Sequence, residues 1–138
     1  MVITPIVTAK PYNLLNGDVY IVLQPSGSYW SWIGTVSGDI EGDLYVHLVD
    51  AWFPAPGVEH FIEEWLIVTG TGTIEGENKG KWTMANFKWI ANGEVTGATG
   101  EWTHLIGSKW QYRGTTDDPF AGIIPVTGTG KFHITHNK

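Results

Sequence analysis

Few side chains in this sequence stand where they could do chemistry, and the adjacent pair Glu63-Glu64 comes first among them. Neighbours in a strand point to opposite faces, so at most one of the two can face an apolar interior. A carboxyl group held there has its pKa raised by desolvation and can serve as a general acid or base. The plainer alternative is an ion pair at a rim or interface. The two do not by themselves make a glycosidase site, which needs a set separation between carboxylates. Tyr45 and His47 are two residues apart and share a strand face. Such a pair could orient a carbonyl or shuttle a proton. Their neighbours Glu41 and Asp43 share that face and equally describe a solvated surface. Arg113, the only arginine, follows Tyr112. Inside a cavity it would hold a ligand carboxylate; on the surface it would pair with one of the fourteen Asp and Glu residues.

Other chemistries lack their residues. The chain has no cysteine, which removes disulfides, thiol nucleophiles and thiolate metal sites. Its five histidines show no compact ligand spacing; His133 and His136 would point to opposite sides of a strand. No metal and no cofactor are expected. There is no G-x-S-x-G nucleophile elbow, and none of the glycine strings forms a phosphate loop ahead of a helix. Between Pro11 and Asn78 there are ten acidic residues and no Lys or Arg. A nucleic-acid partner and an anionic membrane surface are both disfavoured by that balance. The start MVITPIVTAKPYN has no basic-then-apolar leader pattern, so a soluble cytoplasmic protein is expected.

Aromatic residues point to a cavity. Eight tryptophans are a large excess for 138 residues. Each buries roughly 150–250 Å², so a core of this size needs only a few. Trp30, Trp32, Trp65, Trp89 and Trp110 are candidate walls for a hydrophobic ligand, with core filling and subunit contacts as the competing use. The segments DAWFPAPGV (50–58) and TDDPFAGIIP (116–125) are apolar and rich in proline. Trp52, Phe53 and Phe120 on them would cap one mouth of a barrel, because the two loops fall an even number of strands apart.

The elements that must position these residues are strands. Val, Ile and Thr total 39, against 16 for Ala, Leu and Met, and glycine reaches 18. Strand-like runs are read at 2–9, 18–24, 28–36, 39–49, 60–75, 80–91, 94–97, 109–115 and 126–135, in a single domain over 1–138. Asn92-Gly93 reads as a type I′ hairpin turn; Pro25-Ser26-Gly27 and Glu77-Asn78-Lys79-Gly80 read as further turns. Glycines inside strands mark bulges or bends that let a sheet close on itself. The expected fold is all-β, a single antiparallel barrel of about eight strands, with a two-sheet sandwich as the alternative. The run 60–68 carries apolar residues on both faces, as does 39–49. Either a second copy covers the outside, making a homo-oligomer, or bulges shift the register.

The strings GTVSGDIEG (34–42), EEWLIVTGTGTIEG (63–76) and GEVTGATGEWTHLIG (93–107) resemble bacterial members of the allene oxide cyclase-like barrel superfamily. Glu101-Trp102-Thr103-His104 departs from the usual small-or-Phe segment after the TGATG string. The resemblance implies a calycin-like barrel with a central cavity, commonly oligomeric, in a group that includes cofactor-free cyclases. It transfers no catalytic residue. The function expected is a cofactor-independent cyclase or isomerase acting on a hydrophobic small molecule, which one of Glu63, Glu64, Tyr45, His47, Tyr112 or Arg113 would polarise. The alternatives are a non-catalytic carrier or sensor, and a structural oligomer with a filled barrel.

Overall fold

The computed structural model describes residues 12–137. Eight strands run in chain order: β1 (Tyr12–Leu23), β2 (Trp32–Gly38), β3 (Gly42–Ala55), β4 (Val58–Thr69), β5 (Gly72–Thr83), β6 (Lys88–Ala98), β7 (Lys109–Thr116) and β8 (Thr127–Asn137). Each pairs antiparallel with the next, and β8 returns to β1, closing the barrel. Closure leaves no unpaired sheet edge. Among the described residues helix is confined to one 3₁₀ segment, Gly100–Leu105, in the β6–β7 connection. The all-β barrel read from composition is therefore the fold, and the sandwich is excluded. The expected strand at 2–9 lies outside the described residues.

Alternation builds the interior. On β4, Phe61, Glu63, Trp65 and Ile67 are buried and face in, while Ile62, Glu64, Leu66 and Val68 face out. Large inward rings are matched by glycine on the neighbouring strand: Phe61 pairs with Gly80, Trp65 with Gly76, Trp89 with Gly114 and Trp110 with Gly93. A methyl group on Gly76 would sit 2.5 Å from the Trp65 ring. The glycine excess thus makes room for aromatic rings inside a narrow barrel.

That requirement corrects two turn assignments. Asn92-Gly93 lies in the middle of β6, where Gly93 faces Trp110 on one side and Asn78 on the other. A Cβ there would come 1.8 Å from the Glu77 carbonyl oxygen, so glycine is needed for close approach and not for a turn. Glu77-Asn78-Lys79-Gly80 is likewise internal to β5. The run 60–75 divides at Gly70-Thr71 into β4 and β5. Pro25-Ser26-Gly27 does turn: Gly27 has φ 93°, and the Ser28 N–H donates to the Pro25 carbonyl at 3.1 Å.

The two ends of the barrel differ. At the end that carries the 3₁₀ segment, Leu44, Ile67, Ile74, Leu105, Trp110, Phe132 and Ile134 are fully buried. Trp110 is stacked between Trp65 and Phe132, with centroids at 4.2 and 5.4 Å. The Trp102 indole N–H donates to Thr69 Oγ1 at 2.9 Å and ties the 3₁₀ segment down. The β3–β4 and β7–β8 connections lie at the opposite end.

Candidate functional site

At that opposite end the barrel encloses a cavity of about 260 Å³. Trp32, Trp82, Trp89 and Phe61 form much of its wall, and Phe53 from the end of β3 and Phe120 from the β7–β8 connection lie in its lining. Its polar lining among the described residues is short: Glu59, Glu63, Tyr112 and Thr116. Glu59, Phe61 and Glu63 line it together because alternate residues of β4 share one face.

Glu63 is 4% exposed, and Tyr112 is equally enclosed. The Tyr112 hydroxyl donates to Glu63 Oε1 at 2.5 Å. Asn78, the cross-strand partner of Glu63, completes the group. With its amide nitrogen turned toward the carboxyl it donates to Glu63 Oε1 at 3.3 Å, and its oxygen accepts from the Trp110 indole N–H at 3.3 Å. Glu63 Oε2 has no hydrogen-bond partner among the described residues.

Burial dominates the electrostatics. It pushes the Glu63 carboxyl up from 4.5 to about 7; the bonds from Tyr112 and Asn78 oppose that rise, and the Glu59 charge adds to it. The Glu59 carboxyl, half-buried at the cavity wall, is also raised by desolvation. The Tyr112 phenol is held well above its ordinary value by burial and by the adjacent carboxylate, so it remains a donor. A carboxyl that titrates near neutrality, with one oxygen fixed by a donor and the other free, can take a proton from a bound molecule and return it elsewhere. The indole N–H groups of Trp65 and Trp89 are buried without partners, and nothing in the structure explains them.

The other expected site residues lie elsewhere. Glu64 and Arg113 are exposed on the outer face, and Arg113 donates to Gln111 Oε1 at 3.0 Å. Tyr45 and His47 face outward; His47 stacks on Tyr29 at 4.0 Å, and Trp30 lies 5.4 Å from Tyr45. Trp65 and Trp110 fill the packed end. Trp52 pairs with His60 on the outside, a reversal caused by a bulge. Leu48 pairs with Glu63 and Asp50 with Ile62, so Val49 is extra and the inward parity of β3 switches from even to odd numbers. Phe53 consequently reaches the cavity and Trp52 does not.

Glu59, Asn78 and Trp82 were absent from the sequence candidates. Glu59 could have been found by extending the 61–63–65 parity two residues back. Asn78 was hidden by its turn-like neighbours. The described residues contain no group of three or more metal-ligating side chains. No helix among them is long and apolar enough to cross a membrane.

Comparison with protein-family models, curated proteins and solved structures returns no match. The superfamily resemblance therefore rests on the glycine- and threonine-rich strings alone.

Proposed function

We propose that this barrel is a cofactor-independent isomerase or cyclase that binds a compact hydrophobic molecule and moves a proton with Glu63. The observation that carries the reading is a buried carboxyl on the lining of an apolar cavity, with Tyr112 donating to one of its oxygens, where desolvation pushes its pKa up to about 7. Glu63 Oε2 would accept a proton from a substrate carbon, and the resulting acid would deliver it to a second position on the same molecule. Tyr112 would hold the carboxyl in place throughout. The aromatic walls would fold the substrate and exclude water, which strengthens the base. A volume of about 260 Å³ lies just under the usual range for drug-sized ligands, so the substrate is small.

The reading can be tested without knowing the substrate. Ring opening of 5-nitrobenzisoxazole needs only a desolvated base, and the cavity offers one. The wild type should accelerate it over acetate by at least about a hundredfold, the lower range for a positioned base, with an apparent pKa near 7. Glu63→Gln should remove that acceleration. Tyr112→Phe should keep it and move the apparent pKa upward, because a bond that favours the charged carboxylate has gone. A rate equal in wild type and Glu63→Gln would end the catalytic reading and leave a carrier.

A further inference from the structure

The charge inventory of the cavity is one-sided. Glu59 and Glu63 both line it, on the same face of β4 and four residues apart. Among its described lining residues there is no Lys, Arg or His, and neither carboxyl makes a salt bridge. The remaining titratable lining group is Tyr112, which stays neutral. Glu63 Oε2 is left without a partner among the described residues although the side chain is 4% exposed. Three tryptophans, three phenylalanines and Tyr112 supply ring surface to the cavity that holds these two acids: Trp32, Trp82, Trp89, Phe53, Phe61 and Phe120.

Such a site discriminates by charge. An anionic ligand would meet two carboxyls and no counter-charge. A neutral ligand would gain from the walls and leave both acids to be desolvated with no compensation. A cation would be attracted by ring faces and by the carboxylates together. We infer that the cavity selects a hydrophobic molecule bearing a positively charged nitrogen, an alkyl- or arylalkyl-ammonium or iminium group, with the nitrogen held between Glu59, Glu63 and the tryptophan walls. This rests on the reading of the cavity as a small-molecule site and names the class of molecule. It also suits the proposed chemistry. In a β,γ-unsaturated iminium the carbon next to the C=N carbon loses a proton readily; its C–H electron pair becomes a new C=C bond to that carbon and the C=N pair passes to nitrogen, giving a dienamine. Glu63 takes the proton, no oxidant or reductant is needed, and returning it at the far carbon of the dienamine moves the C=C bond into conjugation with the restored C=N bond, which completes an isomerisation.

The test compares benzyltrimethylammonium with neopentylbenzene, the same shape with carbon in place of charged nitrogen, and with benzenesulfonate. Binding to the full-length wild type is followed by calorimetry and by shifts of the indole N–H signals. At pH 8 the cation should bind at least tenfold more tightly than its neutral twin, and the sulfonate should not bind. Its advantage should shrink as pH falls to 5, because Glu63 and Glu59 take up protons and the negative charge disappears. Near pH 6.5, cation binding should release protons in two-buffer calorimetry, whereas neutral binding should not. The Glu59→Gln/Glu63→Gln double variant, checked for fold by circular dichroism, should bring the two affinities within about twofold. If that variant does not fold, the pH series on the wild type decides. Equal binding of the charged and neutral twins at pH 8 overturns the charge inference and leaves the small-molecule site standing. Failure of all three probes to move any indole signal overturns both.

Discussion

The two ends of this barrel are made by the same strands and do opposite things with them. Toward the 3₁₀ segment the interior is solid, with Trp65, Trp110 and Phe132 stacked and aliphatic side chains filling the gaps. Toward the β3–β4 and β7–β8 connections the same alternation leaves about 260 Å³ open and places a carboxyl within it. Glu63 and Trp65 are two residues apart on one face of β4 and mark the boundary. An interior filled along its whole length would be more stable. Leaving one end of it unpacked, with an acid that must be desolvated, costs stability, and such a departure from good packing is characteristic of a site.

The largest contrast expected is between Trp110 and Phe120. Trp110 is 1% exposed in the stack, and truncation to alanine removes three ring contacts and opens a void. Trp110→Ala should cost about 3–5 kcal/mol in urea unfolding, a large share of the stability of an ordinary domain. Phe120 is 70% exposed at the mouth, and Phe120→Ala should cost no more than about 0.5 kcal/mol. Comparable losses at the two positions would show that the mouth, too, is part of the folding core.

Next in size is the effect of Glu63 on stability against pH. Its carboxyl is raised from 4.5 to about 7 in the folded chain. Between those values the folded state keeps a proton that the unfolded state has released. Stability contributed by this group is therefore full below about pH 4.5, falls by about 3 kcal/mol as pH rises to about 7, and is level above that. Glu63→Gln lacks this slope. Its unfolding free energy should exceed that of the wild type at pH 8 and converge with it at pH 5. Parallel curves for the two proteins would mean that the cavity leaves Glu63 well solvated.

How much of this was legible follows from what each feature depends on. Strand parity is local, and 60–68 alone puts Glu63 and Trp65 on one face and Glu64 on the other. The sequence does not say which face is inside; that is settled by which rings find glycines across the sheet, such as Trp65 against Gly76. Asn92-Gly93 and Glu77–Gly80 misled because turn chemistry and close interior approach both select glycine. The Tyr112–Glu63 bond joins residues 49 positions apart, and no spacing rule anticipates it. The outward placement of Tyr45 and His47 follows from the same parity once Leu44 and Val46 are seen to be buried.

The finest distinction separates two neighbours, Trp52 and Phe53. Both were assigned to the mouth from their place in an apolar, proline-bearing segment, and only Phe53 lines the cavity. The single extra residue at Val49 decides this, because Ala51 then pairs inward with Phe61, and Trp52 turns outward beside His60. Phe53→Ala should weaken binding of benzyltrimethylammonium several-fold, about 1 kcal/mol, since it deletes one wall of a partly open cavity. Trp52→Ala removes the larger side chain yet should leave that affinity within a factor of about 1.5. Size and hydrophobicity alone predict the reverse order. A variant with Val49 deleted sharpens the comparison further: with the extra residue gone, Asp50 should still pair with Ile62 and Trp52 with His60, so the Trp52 indole signal should stay unmoved by the probe. If Trp52→Ala weakens the probe more than Phe53→Ala in the intact chain, the bulge does not hold the register in solution, and the mouth is built by the other face of β3.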